Sequence, residues 1–151
     1  MKHAALLTSS ILAFSFCLSA QEDMTQVWNT RLEHKIEHTG TDPNPGEEKF
    51  SYAASDKEMT VFRNKDGGTI WTKPFKDMAP RLRKIDELIP FWESNTVFLF
   101  ERKGGADVVA CIDLPTGNVL WTTEKYSKLS EDNVIYLKEK DAFCISTKDG
   151  L

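Results

Sequence analysis

Apolar residues in this chain fall into short runs bounded by turn residues, the pattern of a protein built from strands. Lys49 to Ala54, Thr96 to Arg102 and Asn133 to Lys138 are rich in Val, Ile, Phe and Tyr and lead into polar turns, so each predicts a β-strand. A second strand-like stretch follows each of them and ends in a glycine turn: Val61 to Gly67, Cys111 to Gly117 and Cys144 to Gly150. Leu82, Ile85, Leu88 and Ile89 depart from this pattern. They are spaced like one face of a helix between Pro80 and Pro90, and they predict a helical or irregular insertion. Thr41-Asp42-Pro43-Asn44-Pro45-Gly46 is a loop by composition. The expected fold class is all-β.

The runs recur as a repeat. Trp28, Trp71 and Trp121 each open a Trp-Asn-Thr, Trp-Thr-Lys or Trp-Thr-Thr triplet, 43 and then 50 residues apart. In Asp66-Gly67-Gly68-Thr69-Ile70-Trp71 and Thr116-Gly117-Asn118-Val119-Leu120-Trp121 the glycine stands four residues before the tryptophan. Gly150 begins a third such turn, whose tryptophan would fall three positions past Leu151. Each unit therefore reads as strand, turn, strand, glycine turn, then a strand begun by tryptophan. Repeats of about 40–50 residues with several strands apiece are the mark of β-propeller blades. About three four-stranded antiparallel blades are expected in an incomplete ring, in approximate units 25–72, 73–122 and 123–151. A closed propeller has four to eight blades. Two expectations follow: a longer protein cut at its C-terminus, or a short one that completes its ring as a homo-oligomer.

The turn chemistry is structural. Gly67, Gly117 and Gly150 supply positive φ, and Thr116 with Asp113, or Asp66 and Asp149, can bond nearby backbone amides. Each tryptophan brings a large apolar ring with one N–H donor to where neighbouring units meet. The stretch from Ala110 through Cys111, Ile112, Asp113, Thr116 and Gly117 to Trp121 closely resembles the repeat of pyrroloquinoline-quinone-type (quinoprotein-like) propellers, Ala-Leu-Asp-x-x-Thr-Gly-x-x-x-Trp. The copies at Val61–Trp71 and Cys144–Leu151 lack its Asp and Thr. The resemblance implies that the repeat is a tryptophan-docking device locking successive blades, with Trp28 on an N-terminal strand that completes the last blade.

The N-terminus changes the compartment. Lys2 precedes an apolar run from Ala4 to Leu18, and Leu18-Ser19-Ala20 offers a small residue before Gln21. That is the layout of a signal peptide over residues 1–20, with residues 21–151 as the mature repeat region, periplasmic or secreted. The run is shorter than the roughly 20 residues a spanning helix needs, and no later segment reaches that length. Cys17 follows Phe16 rather than a small residue, so it reads as part of the apolar run and not as a lipid acceptor. The formal charge of −4 gives no footprint for nucleic acid or anionic membrane.

Candidate chemistry is sparse. His34-Lys35-Ile36-Glu37-His38 matches a zinc-peptidase pattern that needs both histidines on one helix, but here it follows the Trp28 strand and reads as extended chain. Cys111 and Cys144 hold the same repeat register, so they are expected to point alike as buried small apolar residues, a disulfide being the alternative. Gly104-Gly105 and Gly67-Gly68 lack the strand-to-helix setting of a phosphate loop. Glu47, Glu48, Glu131 and Asp132 read as solvated loop charges. No set of nucleophile, base and orienting group is present, so no catalytic residue is assigned, nor any metal or cofactor ligand. Two functions remain. One is an extracytoplasmic, non-catalytic binding scaffold with protein partners and no cofactor. The other, implied by the resemblance, is a fragment of a quinoprotein dehydrogenase holding quinone and calcium, although the adjacent Cys-Cys pair of those enzymes is missing here.

Overall fold

A computed structural model describes residues 28–44, 49–126 and 129–146. Residues 1–20 and the Gly150 turn lie outside them. Three antiparallel sheets follow one another along the chain. The first has β1 (His38–Thr41), β2 (Phe50–Ala54), β3 (Glu58–Arg63) and β4 (Thr69–Pro74) in spatial order 1-2-3-4. The second repeats that order with β5 (Glu87–Phe91), β6 (Thr96–Glu101), β7 (Val108–Asp113) and β8 (Val119–Thr123). β9 (Val134–Leu137) and β10 (Ala142–Ile145) form a two-stranded ladder. The fold is all-β and antiparallel, as the short apolar runs require.

The middle sheet is buried on both faces, which explains why β6 and β7 are apolar without alternation. Successive side chains on a strand point to opposite faces. Val97, Leu99, Val108, Ala110 and Ile112 pack with Tyr52, Ala54, Met59, Val61 and Trp71 of the first sheet. Phe98, Phe100, Val109 and Cys111 pack the other way, with Val134 of the third ladder and with Phe143 and Ile145 against them. Phe143 lies 4.8 Å from the Phe98 ring and 5.0 Å from that of Phe91. Burying each such side chain is worth about 1.5–3 kcal/mol, so the two interfaces hold the stack together.

One expectation about local structure is met in its irregular form, and another is corrected. The apolar spacing from Leu82 to Ile89 makes no helix. The one α-helix among the described residues is a single turn, α1 (Phe75–Met78). Leu82 and Ile85 are buried in an irregular connection, and Leu88 and Ile89 lie in β5. Leu88 packs into the first core and Ile89 into the second. Adjacent residues serving two opposite cores need the period of a strand, and no helix provides it. Trp71 and Trp121 also do not begin their strands. Each is the third residue, placed just past a register shift, between Val61 and Phe62 in one sheet and between Cys111 and Ile112 in the other.

The third unit aligns with the second in a different register from the one expected. The β9–β10 hairpin closes through a 3-10 turn at Lys138–Lys140 followed by Asp141 at φ 46°. The β5–β6 hairpin closes the same way, through Trp92–Ser94 and Asn95 at φ 51°. Phe91 opposes Thr96 as Leu137 opposes Ala142. The β2–β3 connection has no such residue, since Asn95 and Asp141 are the two non-glycine residues with positive φ among those described. Thus β9 and β10 correspond to β5 and β6. Cys144 takes the place of Phe98 instead of Cys111.

Candidate functional site

The repeated glycine turns have one geometry. In the second sheet, Asp113 N–H donates to Asn118 O at 2.9 Å and Gly117 N–H to Asp113 O at 2.7 Å. In the first, Arg63 N–H donates to Gly68 O and Gly67 N–H to Arg63 O, both at 2.9 Å. Gly67 has φ 68° and Gly117 φ 66°, the left-handed region that glycine enters without strain. Asp113 accepts from the Thr116 amide at 3.1 Å and from its hydroxyl, and Thr116 Oγ1 accepts from Asn118 N–H at 3.2 Å. The first sheet makes the same bridge with reversed polarity. Arg63 Nη1 donates to Asp66 Oδ2 at 2.7 Å, and Asp66 Oδ1 accepts from Gly68 N–H at 2.8 Å.

A tryptophan from the preceding segment sits on each turn. Trp71 Nε1 donates to Leu114 O at 2.7 Å, and a Cβ on Gly117 would stand 2.8 Å from the Trp71 ring. Trp28 Nε1 donates to Asn64 O at 3.1 Å, and a Cβ on Gly67 would stand 2.5 Å from its ring. In both cases the acceptor carbonyl lies three residues before the glycine. The glycine therefore does two jobs, supplying the turn and leaving room for the indole. Lys73, on the strand of Trp71, adds a clamp by donating to Thr116 O at 2.9 Å and Gly117 O at 3.1 Å.

Trp121 occupies the same position on β8 without that partner. Its ring meets Phe98 edge-on at 4.9 Å, and its N–H has no acceptor among the described residues. It borders a groove of about 720 Å³ lined also by Thr96, Asp113, Tyr126, Asp141 and Phe143.

The remaining candidates separate. His34 Nε2 lies 3.2 Å from Glu58 Oε1, whereas His38 pairs with Ala54 in β1. The chain bends at Glu33 and His34, so the His-x-x-Glu-His segment is not helical. Among the described residues no three His, Cys, Asp or Glu side chains converge as metal ligands. Cys111 and Cys144 are free thiols, the first buried and the second half-buried. Burial pushes the Cys111 thiol up to about 12 against the opposing hydrogen bond of Thr96. Gly104 and Gly105 have open space around them, in an exposed strand-to-strand turn.

Sequence reasoning missed Arg102. Its guanidinium donates to Asp107 at 2.6 Å, to Glu87 through Nε at 3.0 Å and to Leu129 O at 2.5 Å, and it lies 4.4 Å from the centre of the Phe100 ring. It fastens the segment after β8 to the second sheet. A planar fork suits this role, but nothing in the spacing of a lone arginine announces it. Tyr52 was likewise unmarked. It stacks on Trp92 at 5.9 Å, and burial pushes its phenol up to about 12.

No protein-family model, curated protein or solved structure matches this chain. Among the described residues no helix is long and apolar enough to cross a membrane.

Proposed function

We propose that this chain is an extracytoplasmic, non-catalytic binding scaffold whose sheets are blades of a quinoprotein-like β-propeller. The observation that carries the reading is the twice-repeated dock of an indole on the glycine turn of the following sheet. Its residues are committed to packing and turn bonds, leaving a rigid stack whose loops and end faces are available to protein partners. The signal-like N-terminus supports a mature chain in the periplasm or outside the cell.

Two measurements test this together. Expressed with residues 1–151, the chain is expected to be exported and to begin at Gln21, as read by N-terminal sequencing. Retention in the cytoplasm with Met1 intact would refute the location. Mixing the purified protein with pyrroloquinoline quinone and calcium is expected to leave both the quinone spectrum and the melting temperature unchanged. A shifted absorbance band with stabilisation would replace the scaffold reading with the dehydrogenase one.

A further inference from the structure

We propose that the groove around the β2–β3 turn, at one end of the first sheet, takes an acidic segment of a partner protein. This rests on the scaffold reading and names the kind of partner that one end of the stack would hold. The turn, Ser55 to Glu58, is the hub. Three neighbouring segments bond to the backbone there: Glu37 N–H to Ala54 O at 2.9 Å, Phe75 N–H to Lys57 O at 2.8 Å and Ile85 N–H to Asp56 O at 3.1 Å. Among these segments lies a groove of about 480 Å³. It belongs to an end of the sheet, where strands turn, and not to a face that a neighbouring sheet would cover. The ends of antiparallel strands alternate. Trp28 on the β3–β4 turn and Thr41 at the close of β1 therefore stand at the opposite end.

Cations without partners line this groove. Phe75, Ala79, Leu82 and Ile85 are buried and anchor the connection from β4 to β5, which leaves Lys76 and Arg83 exposed between them. Lys57 is exposed on the turn itself. None of the three makes an ion pair among the described residues, whereas Arg81 and Lys84 of the same connection pair with Glu124 and Asp86. Of the acids on the walls, Glu37 is taken by Lys35 at 3.1 Å and Glu58 lies 3.2 Å from His34. Asp56 is left to face three cations. The groove is thus a positive spot on a chain of formal charge −4, and it attracts carboxylates. A lone phosphate suits it poorly, because three of the turn's four amides are already bonded. Lys57 and Glu58 N–H both donate to Ser55 Oγ at 3.1 Å, and Ser55 N–H donates to Glu58 O at 2.9 Å. No aromatic ring is among the lining residues, so nucleic acid finds nothing to stack on. Three charges carried on three separate segments fit a run of Asp or Glu side chains along an extended chain.

The test is fluorescence anisotropy of a fluorescein-labelled glutamate decapeptide titrated with the purified chain, with circular dichroism as the check on folding. The parent chain is expected to bind it, to release it as salt is raised, and to ignore a Gly-Ser peptide of equal length. Lys57→Glu/Lys76→Glu/Arg83→Glu is expected to weaken binding by about tenfold or more, since three attractions become repulsions. Glutamine at the same three positions is expected to give a smaller loss. Lys125→Glu/Lys138→Glu/Lys140→Glu alters the net charge equally at exposed residues away from the groove, and is expected to stay within about twofold of the parent. No binding by the parent chain, or equal losses in the two charge-reversed variants, would overturn the proposal. So would a thymidine decanucleotide or inorganic phosphate that displaces the peptide at equal concentration. Each of these failures leaves the scaffold reading standing, because export and the quinone mixture test that reading separately.

Discussion

Gly117 carries two demands at once, a left-handed backbone and an indole where a Cβ would be. Gly117→Ala is therefore expected to cost about 1–3 kcal/mol through strain and displacement of the ring. Trp71→Ala is expected to cost about 3–5 kcal/mol, the range for deleting a buried tryptophan. Trp121→Ala should cost less than Trp71→Ala, because its ring is half-exposed and its N–H makes no bond among the described residues. Urea denaturation checks the order, and equal losses for the two tryptophans would contradict the docking account. The glycine-to-tryptophan spacing made these residues legible in the sequence. The Arg63–Asp66 bridge was not legible as a copy of Asp113–Thr116, because the same contact is made with donor and acceptor exchanged.

For single elements, the sequence located strands well and misjudged what joined them. Thr96 to Arg102 and Asn133 to Lys138 become β6 and β9 with ends shifted by one residue. Aligning Cys144 with Cys111 followed the Cys-Ile dipeptide, whereas the turn before β10 shows it to be the counterpart of β6. A signal was available. Trp92-Glu93-Ser94-Asn95 and Lys138-Glu139-Lys140-Asp141 each end in a residue type that tolerates positive φ. The difference has a chemical consequence. Cys111 is closed between β6 and β8 with its thiol pushed up to about 12, while Cys144 lies half-buried in the final ladder. At pH 8 iodoacetamide is expected to label Cys144 in the native protein and Cys111 only after denaturation. Mass spectrometry reads the sites, and equal native labelling would contradict this placement.

The described residues form a stack with two cores, each made between sheets and none within a single sheet, so stability depends on both interfaces. Tyr52 and Cys111 make that stability pH-dependent at the alkaline end. Each has a folded pKa raised by burial, Tyr52 from 10.0 to about 12 and Cys111 from 9.0 to about 12. The folded state favours their neutral forms, so this contribution is complete below pH 9 and is lost progressively as pH rises towards 12. Tyr52→Phe keeps a ring against Trp92 and is expected to flatten the loss between pH 10 and 12, measured as melting temperature against pH. An unchanged slope would place the alkaline transition elsewhere. By itself the sequence determined the strand-rich class, the glycine turns and the tryptophans, because those follow from local periodicity, φ and side-chain size. Tertiary structure decided which face each strand buries, how the third hairpin corresponds to the second, and that Trp28 and Trp71 dock on glycine turns while Trp121 packs edge-on against Phe98. These depend on contacts between residues about 40 positions apart, where the geometry of the partner, and not the identity of the residue, makes the choice.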